Sequence, residues 1–214
     1  MSGEKIAFFR KRIIEWGRKN VRMYPWRNTV DPYRILVAEM LLQRTPPEQV
    51  LPVYIEFIGR FPTVNSLHSA EEGEVENLLG SLGLRWRIQN LKKMARDLVE
   101  RYGGSVPRDY EDLKSLPGVS DYIASAVRCF AFGYPEVLLD VNTVRVTGRF
   151  FGLKISDSSR RSRKYRELLE LAIDRDEPAL FNRSLIDLGR SICRSRKWLC
   201  EMCPLLPGCA LHSG

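Results

Sequence analysis

The chain of 214 residues lacks any apolar run near the roughly 20 residues that a membrane-spanning helix requires. Its first residues, MSGEKIAFFRKRIIEW, contain neither the long apolar core nor the small-residue cleavage site of a signal peptide, and they are typical of an amphipathic helix. We therefore expect a cytoplasmic protein that is not inserted in a membrane, and we also expect it to be a monomer.

Histidine and glutamine are scarce, with two and three residues in the chain. A low amide content among many charged residues is found in thermophilic proteins, so we expect a prokaryotic and thermophilic source.

Acidic residues are outnumbered by basic ones, since 26 Asp and Glu stand against 34 Lys and Arg and leave a formal charge of +8. This excess favours a polyanionic partner, with nucleic acid first and an acidic membrane surface second. A basic protein without such a partner is the plain alternative.

No stretch alternates apolar and polar residues in the manner of a half-buried strand. Apolar residues recur at helical spacing instead, as at Ile6, Phe9 and Ile13 near the N-terminus. The sequence therefore predicts an all-α fold, with no internal repeat and no low-complexity segment.

One predicted helix is apolar on every side except at Glu39, and it starts at Asp31-Pro32, where Asp is a good N-cap and Pro a good first residue. A helix that is apolar all round belongs in a core. A carboxyl group there costs free energy unless it is paired or protonated, which is typical of functional acids and of buried structural ion pairs alike.

Four of the five cysteines lie within 17 residues, with the spacing C-x6-C-x2-C-x5-C, and the fifth, Cys129, lies alone in an apolar helical stretch. In a reducing cytosol such a cluster indicates metal ligands rather than disulfides. Structural zinc sites usually use paired short C-x-x-C units, whereas this chain has one, and no histidine is expected close enough to substitute. The four are Cys193, Cys200, Cys203 and Cys209.

A glycine-containing turn, Leu116-Pro117-Gly118-Val119-Ser120, lies between two helical patterns, with Ser120 as a fair N-cap. Backbone N–H groups at such a turn can bind a phosphate without reading base sequence, although an ordinary helix–helix turn has the same pattern. Further along, the apolar residues Val137, Leu138 and Leu139 lead to Asp140 at the start of another helix.

A hairpin, a helix and an aspartate in this order resemble the helix–hairpin–helix DNA glycosylase superfamily, and the similarity runs from Tyr24-Pro25-Trp26-Arg27 to Cys209. The cysteine spacing is similar to the 4Fe–4S loop of its endonuclease III and adenine-glycosylase branch. The resemblance implies two helical lobes with an active cleft between them. A six-helix lobe would span residues 29–135, and residues 1–28 with 136–214 would form the iron–sulfur lobe.

The resemblance also implies an essential catalytic role for Asp140, whose carboxylate would stabilise the positive charge that develops on the sugar and help a water to attack. Its alternative role is a helix N-cap, and the two roles can use different oxygens. Asn142 would position Asp140 or the water. Glu39 matches a glutamate that protonates the departing purine in adenine glycosylases and lines the pocket of mismatch thymine glycosylases.

Tyr122 occupies the position at which bifunctional relatives carry a lysine that forms a Schiff base with the sugar and then nicks the strand. Because tyrosine has no amine, the resemblance implies an enzyme that removes the base and stops, with little or no lyase activity. Tyr122 can stack on the extruded base or pack beside the hairpin.

Duplex DNA with a mismatched or damaged base is the implied partner, which places the protein at the nucleoid. Backbone groups of the hairpin would bind phosphate, Gln43 and Arg44 would fill the gap or hold the orphaned guanine, and the basic cysteine loop would contact the DNA backbone. The hairpin reads LPGVS where the family favours LPGVG. If the last position needs a positive φ, serine there would change the geometry of the hairpin, because serine lacks the freedom of glycine. The remaining candidates for contact with DNA are Leu116 and Gly118 in the hairpin and Arg194, Arg196 and Lys197 in the cysteine loop.

Tyrosine at the Tyr122 position occurs in mismatch thymine glycosylases and in some adenine glycosylases. Adenine glycosylases usually carry Gln-Gln where this chain has Gln43-Arg44, and they carry a C-terminal inspection domain, whereas this chain ends five residues after Cys209. Hydrolytic removal of thymine or uracil opposite guanine is therefore expected. An adenine glycosylase without its inspection domain and a non-catalytic iron–sulfur DNA-binding protein are the alternatives.

Overall fold

A computed structural model describes residues 2–83 and 85–212, and in these residues it contains eleven α-helices and no β-strand, which confirms the all-α prediction. The helices are α1 Gly3–Asn20, α2 Pro32–Leu41, α3 Pro47–Arg60, α4 Val64–Ser69, α5 Glu72–Leu79, α6 Arg85–Tyr102, α7 Tyr110–Ser115, α8 Asp121–Phe132, α9 Val141–Phe151, α10 Arg163–Ala172 and α11 Pro178–Ser191. Short 3-10 turns lie at Pro25–Arg27, Gly80–Leu82, Asp157–Arg161, Cys200–Met202, Leu206–Gly208 and Ala210–His212. None of the described helices is both long and apolar enough to cross a membrane.

The chain divides into two compact units, one formed by the described residues of Met1–Arg22 and Gly133–Gly214 and the other by Met23–Phe132. The first boundary therefore falls six residues earlier than the expected one after residue 28. The segment after Arg22 belongs to the second unit because Tyr24 and Trp26 stack at 4.8 Å and Trp26 meets the ring of Tyr54 edge-on at 5.1 Å.

The first unit has a core of aromatic and aliphatic side chains around α9. Phe9 of α1 lies 5.0 Å from the ring of Phe150 and 5.1 Å from that of Phe151. Since each buried aromatic ring removes a large apolar area from water, this contact fixes α9 together with its N-cap residue, Asp140.

The second unit is built around α2, which is buried along most of its length and packs against α8. Asp31 begins α2 as predicted, because its carboxylate accepts hydrogen bonds from the backbone N–H groups of Tyr33 at 2.9 Å and Arg34 at 3.2 Å. This packing places the C-terminal turn of α2 and the start of α8 in one unit.

Candidate functional site

Asp140 is half-buried and is the N-cap of α9. Its Oδ1 accepts hydrogen bonds from the backbone N–H groups of Asn142 at 2.8 Å and Thr143 at 2.7 Å, and the hydroxyl of Thr143 accepts one from the Asp140 N–H at 2.8 Å. Its Oδ2 accepts a hydrogen bond from Asn142 Nδ2 at 2.7 Å. Oδ1 therefore caps the helix, whereas Oδ2 takes no part in the cap.

Asn142 is itself held by Arg145, which donates from Nη2 to Asn142 Oδ1 at 2.8 Å and to the Gly189 carbonyl at 2.7 Å. A Cβ on Gly189 would lie 2.6 Å from the Cβ of Asn142, so only glycine lets α11 approach this closely. Arg145 Nε donates to the Cys193 carbonyl at 2.7 Å. A chain of hydrogen bonds thus joins the first cysteine of the cluster to the Asp140 carboxylate.

Arg145 had no predicted role. Its position three residues after Asn142, one helical turn along α9, is the signal that could have suggested a contact with the Asn142 side chain. Two of its other partners, Cys193 and Gly189, are distant in sequence and had no such signal.

The four clustered cysteines line one pocket of the first unit, together with Arg149 and several apolar residues. His212 lines the same pocket. Among residues 2–83 and 85–212, no group of three or more His, Cys, Asp or Glu side chains is placed to hold a metal ion.

Burial raises the pKa of the Cys203 thiol to about 11 and also raises that of Cys200. A bound metal would favour the thiolate forms of these two residues. Arg149 Nη1 donates to Cys193 Sγ at 3.4 Å, which adds positive charge at the edge of the pocket.

The loop between the first two cysteines presents three basic side chains, and Arg194, Arg196 and Lys197 are all exposed. Arg149 shapes this loop, because it donates to the Arg194 carbonyl at 2.7 Å and its guanidinium lies 4.5 Å from the ring centroid of Trp198. The loop is therefore held by the protein while its cationic groups face solvent.

In the second unit, the positive φ of the LPGVS turn is at Gly118, where it is +82°, and Ser120 does not have a positive φ. A Cβ on Gly118 would lie 2.8 Å from Asn90 Cβ and 3.0 Å from Met40 Cε. The Ser120 hydroxyl accepts a hydrogen bond from the Ile123 N–H at 3.3 Å, as an N-cap does. Serine in place of glycine therefore leaves the backbone of this turn unstrained at residue 120.

Gln43 and Arg44 lie in the turn that follows α2. Gln43 Nε2 donates to the Gly118 carbonyl at 3.0 Å, so the side chain rests on the hairpin, and Arg44 has a φ of +58°. The structure thus brings Gln43 and the hairpin together as parts of one surface.

Glu39 is buried in α2, with 8% of its surface exposed, and Tyr122 is half-buried in the first turn of α8. Both belong to the second unit, whereas Asp140 and Asn142 belong to the first. The buried position of Glu39 agrees with the all-round apolar pattern of its helix.

The hairpin, the helix that follows it and the helix capped by Asp140 occur in the order on which the family resemblance was based. Residues 37–171 match the family model of HhH-GPD superfamily base excision DNA repair proteins, and the chain belongs to this superfamily.

Individual relatives indicate a narrower class within this superfamily. The chain is 42% identical to the thymine-DNA glycosylase of Aeropyrum pernix, over 98% of this chain and 96% of that protein. It is 41% identical to the thymine/uracil-DNA glycosylase of Pyrobaculum aerophilum, over 95% of this chain and 90% of that protein. A solved structure of a thermostable thymine-DNA glycosylase matches with a TM-score of 0.92 and 33% identity, covering 97% of this chain and 96% of that one.

Adenine DNA glycosylases match at lower identity than the Aeropyrum pernix and Pyrobaculum aerophilum enzymes. That of Buchnera aphidicola is 33% identical over 94% of this chain, which spans 57% of its length. The relatives named here are all DNA glycosylases, enzymes that hydrolyse N-glycosyl bonds.

Proposed function

We propose that the chain is a monofunctional DNA glycosylase that extrudes thymine or uracil mispaired with guanine and hydrolyses its N-glycosidic bond. The observation that carries this proposal is the arrangement of the Asp140 carboxylate. Similarity to thymine and thymine/uracil glycosylases over nearly the whole chain supports the choice of substrate.

The Asp140 carboxylate has acceptor capacity left for a reaction. Each carboxylate oxygen accepts about two hydrogen bonds. Oδ1 accepts two, from the N–H groups of Asn142 and Thr143, and Oδ2 accepts one, from Asn142 Nδ2. One acceptor position on Oδ2 is therefore available to a water molecule, and Asn142 holds that oxygen in place.

The reaction breaks the bond between sugar C1′ and the base nitrogen, and the base leaves with the electron pair of that bond. Positive charge develops on the sugar, and a nearby carboxylate stabilises it. The water oxygen bonds to C1′, and its proton passes to Asp140. Glu39 would line the pocket of the extruded base, where a buried carboxyl group can donate a proton or a hydrogen bond to it.

DNA binding would use the hairpin backbone from Leu116 to Ser120 for a phosphate, Gln43 with Arg44 for the space left by the extruded nucleotide, and the basic loop for the flanking backbone. A mispaired base is extruded at a lower free-energy cost than a paired one, which supplies part of the selectivity. We propose that the protein acts on DNA as a monomer in the cytoplasm of a thermophilic prokaryote.

We propose that the four clustered cysteines hold a 4Fe–4S cluster. The four thiols line one pocket of the first unit, and four cysteine thiolates are the usual ligand set of such a cluster. Such a cluster supplies a redox centre and cross-links the loop that bears Arg194 and Arg196. Purified protein should absorb near roughly 400 nm; colourless protein with stoichiometric zinc would contradict this assignment.

Tyr122 supports the absence of lyase chemistry, because a Schiff base requires an amine. Borohydride should therefore trap no covalent adduct between the native protein and mismatched DNA. Tyr122→Lys is the variant in which trapping can appear, and abundant trapping by the native chain would refute the monofunctional assignment.

The proposal is tested by base loss from duplexes containing G·T, G·U, A·G or A·8-oxoguanine pairs, scored as strand breaks after alkali. We expect cleavage of G·T and G·U. Asp140→Asn should abolish turnover and retain binding, while Asp157→Asn, an exposed carboxylate of the same unit, should change neither.

Cleavage confined to adenine would favour the alternative of an adenine glycosylase. If Asp140→Asn has no effect and the native chain binds DNA without cleaving any of the four duplexes, a non-catalytic DNA-binding protein is the better description.

A further inference from the structure

Arg87 is a buried cation in the first turn of α6, with 2% of its surface exposed. Its guanidinium donates hydrogen bonds to four backbone carbonyls of the described residues. Nη1 donates to those of Leu41 and Gln43, the latter at 3.4 Å, and Nη2 donates to those of Leu82 at 3.0 Å and Gly83 at 3.4 Å. One guanidinium therefore joins the turn after α2, residues 42–45, to the turn before α6.

Burying a guanidinium costs free energy that space-filling alone would not require. Burial lowers the pKa of the Arg87 guanidinium, which reflects the cost of removing a charge from water. An apolar side chain of similar volume would avoid that cost. What an apolar side chain cannot do is hold two backbone segments in a fixed relation, as the planar fork of arginine does.

The turn that Arg87 holds is the one that carries Gln43. The Gln43 backbone carbonyl is bound by Arg87, and the Gln43 side chain donates to the Gly118 carbonyl of the hairpin at 3.0 Å. Gly118 in turn lies against Asn90 and Met40 so closely that a Cβ would not fit. Gln43 is thus fixed at both ends, by α6 and by the hairpin.

We infer that Arg87 is a positioning residue for base extrusion, which holds the Gln43 turn rigid so that Gln43 can occupy the space of the extruded nucleotide while the hairpin binds phosphate. This inference rests on the proposed function. Arg87 acts through Gln43 and touches no reacting atom. Its loss should therefore affect opening of the base pair and leave bond cleavage unaffected once the base is out.

Lys92 provides a matched control on the same helix. Its Nζ donates to the carbonyls of Leu67, His68 and Ala70, the first two at 3.0 and 2.9 Å. Like Arg87, Lys92 is a cation that binds backbone carbonyls of the second unit. These carbonyls lie at the C-terminal end of α4, and none of them belongs to the turn that carries Gln43. Arg87→Met and Lys92→Met remove the same kind of interaction from two different turns.

The test compares single-turnover removal of uracil from two duplexes, one with guanine opposite the uracil and one with an abasic analogue opposite it. The second duplex has no base pair to open. Arg87→Met should slow removal from G·U by about tenfold or more, since small losses of position have effects of that order. Removal opposite the abasic analogue should stay close to native, and Lys92→Met should stay close to native on both duplexes.

Thermal unfolding midpoints of both variants show whether they are folded. If Arg87→Met does not fold, Arg87→Lys, which keeps the charge but lacks the fork, should show the same split between duplexes at smaller amplitude. Gln43→Ala should show the split too, and the double variant should be no slower than the worse single variant.

Equal slowing of both duplexes by Arg87→Met, slowing of neither, or the same split in Lys92→Met would overturn the inference. These outcomes require an active native protein. A native chain that removes uracil from neither duplex would instead count against the proposed function.

Discussion

At Asp140, one carboxylate serves a helix cap with one oxygen and is held by Asn142 at the other. The cap was predictable, because aspartate before a helix with threonine three residues later is typical of a reciprocal N-terminal cap. The Asn142 contact agrees with the positioning role that the family resemblance implied. Arg145, which fixes Asn142, was not predicted, since two of its partners lie on α11 and in the cysteine loop.

Asn142→Ala tests the positioning of Asp140. The change removes the donor to Oδ2 and leaves both backbone hydrogen bonds to Oδ1, so the fold of α9 should be preserved. We expect the single-turnover rate of base removal to fall by about 10- to 100-fold, because small displacements of a catalytic group have effects of that size. Affinity for an abasic-site duplex should change little.

Thr143→Val is the control for that experiment. It removes the hydroxyl that accepts from the Asp140 N–H and leaves the Asn142 contact in place. It should lower the free energy of unfolding by about 1 kcal/mol, as the loss of a cap does, with a smaller effect on rate than Asn142→Ala. A larger loss of rate in Thr143→Val would mean that the cap, rather than Asn142, fixes the carboxylate.

At the scale of elements, α1, α2 and α9 followed from apolar spacing or from their caps, whereas the short helices α4, α5 and α7 were not predicted. Each of these three has six to eight residues, which is too short for an apolar pattern to establish a helical period. The hairpin was located from its glycine and the N-cap serine. Its close contact with Met40 and Asn90 required the packing of α2, α6 and α8.

Gly118→Ala tests how far the hairpin depends on that packing. Gly103 is the matched control in the same unit, because its φ is +59° and no atom lies within 4 Å of the place that a methyl group would take. Gly103→Ala should lower the free energy of unfolding by about 1–2 kcal/mol through backbone strain alone. Gly118→Ala should cost about 1–3 kcal/mol more, because the new methyl group meets Asn90 and Met40.

Urea unfolding of the two variants measures this difference, and DNA affinity measures its consequence for the hairpin. We expect weaker binding to duplex DNA in Gly118→Ala and native-like binding in Gly103→Ala. Equal stabilities and equal affinities would show that the crowding at Gly118 has no role in holding the hairpin.

At the scale of the whole molecule, the formal charge of +8 indicated a polyanionic partner but gave no surface for it. The cysteine loop supplies one candidate surface, since Arg194, Arg196 and Lys197 are exposed on a segment held by Arg149. A cluster bound by Cys193 and Cys200 would hold this loop at both of its ends.

The salt dependence of DNA binding tests that surface. Each lost phosphate contact lowers the slope of log affinity against log salt by about 0.9. Arg194→Ala with Arg196→Ala should therefore reduce the slope by about 1 to 2. Arg160→Ala with Arg161→Ala removes the same charge from exposed positions elsewhere in the first unit and should leave the slope near native. Equal reductions in both double variants would mean that net charge alone governs binding.

The sequence by itself determined the all-helical class, the caps of α2 and α9 and the cysteine spacing, because these depend on residues within a few turns of one another. Only the tertiary structure decided which side chains fix the candidate site. Arg145 reaches a carbonyl 48 residues away and Arg87 reaches one 46 residues away. Such contacts depend on how the helices pack, and the sequence alone does not distinguish a buried arginine from a solvated one.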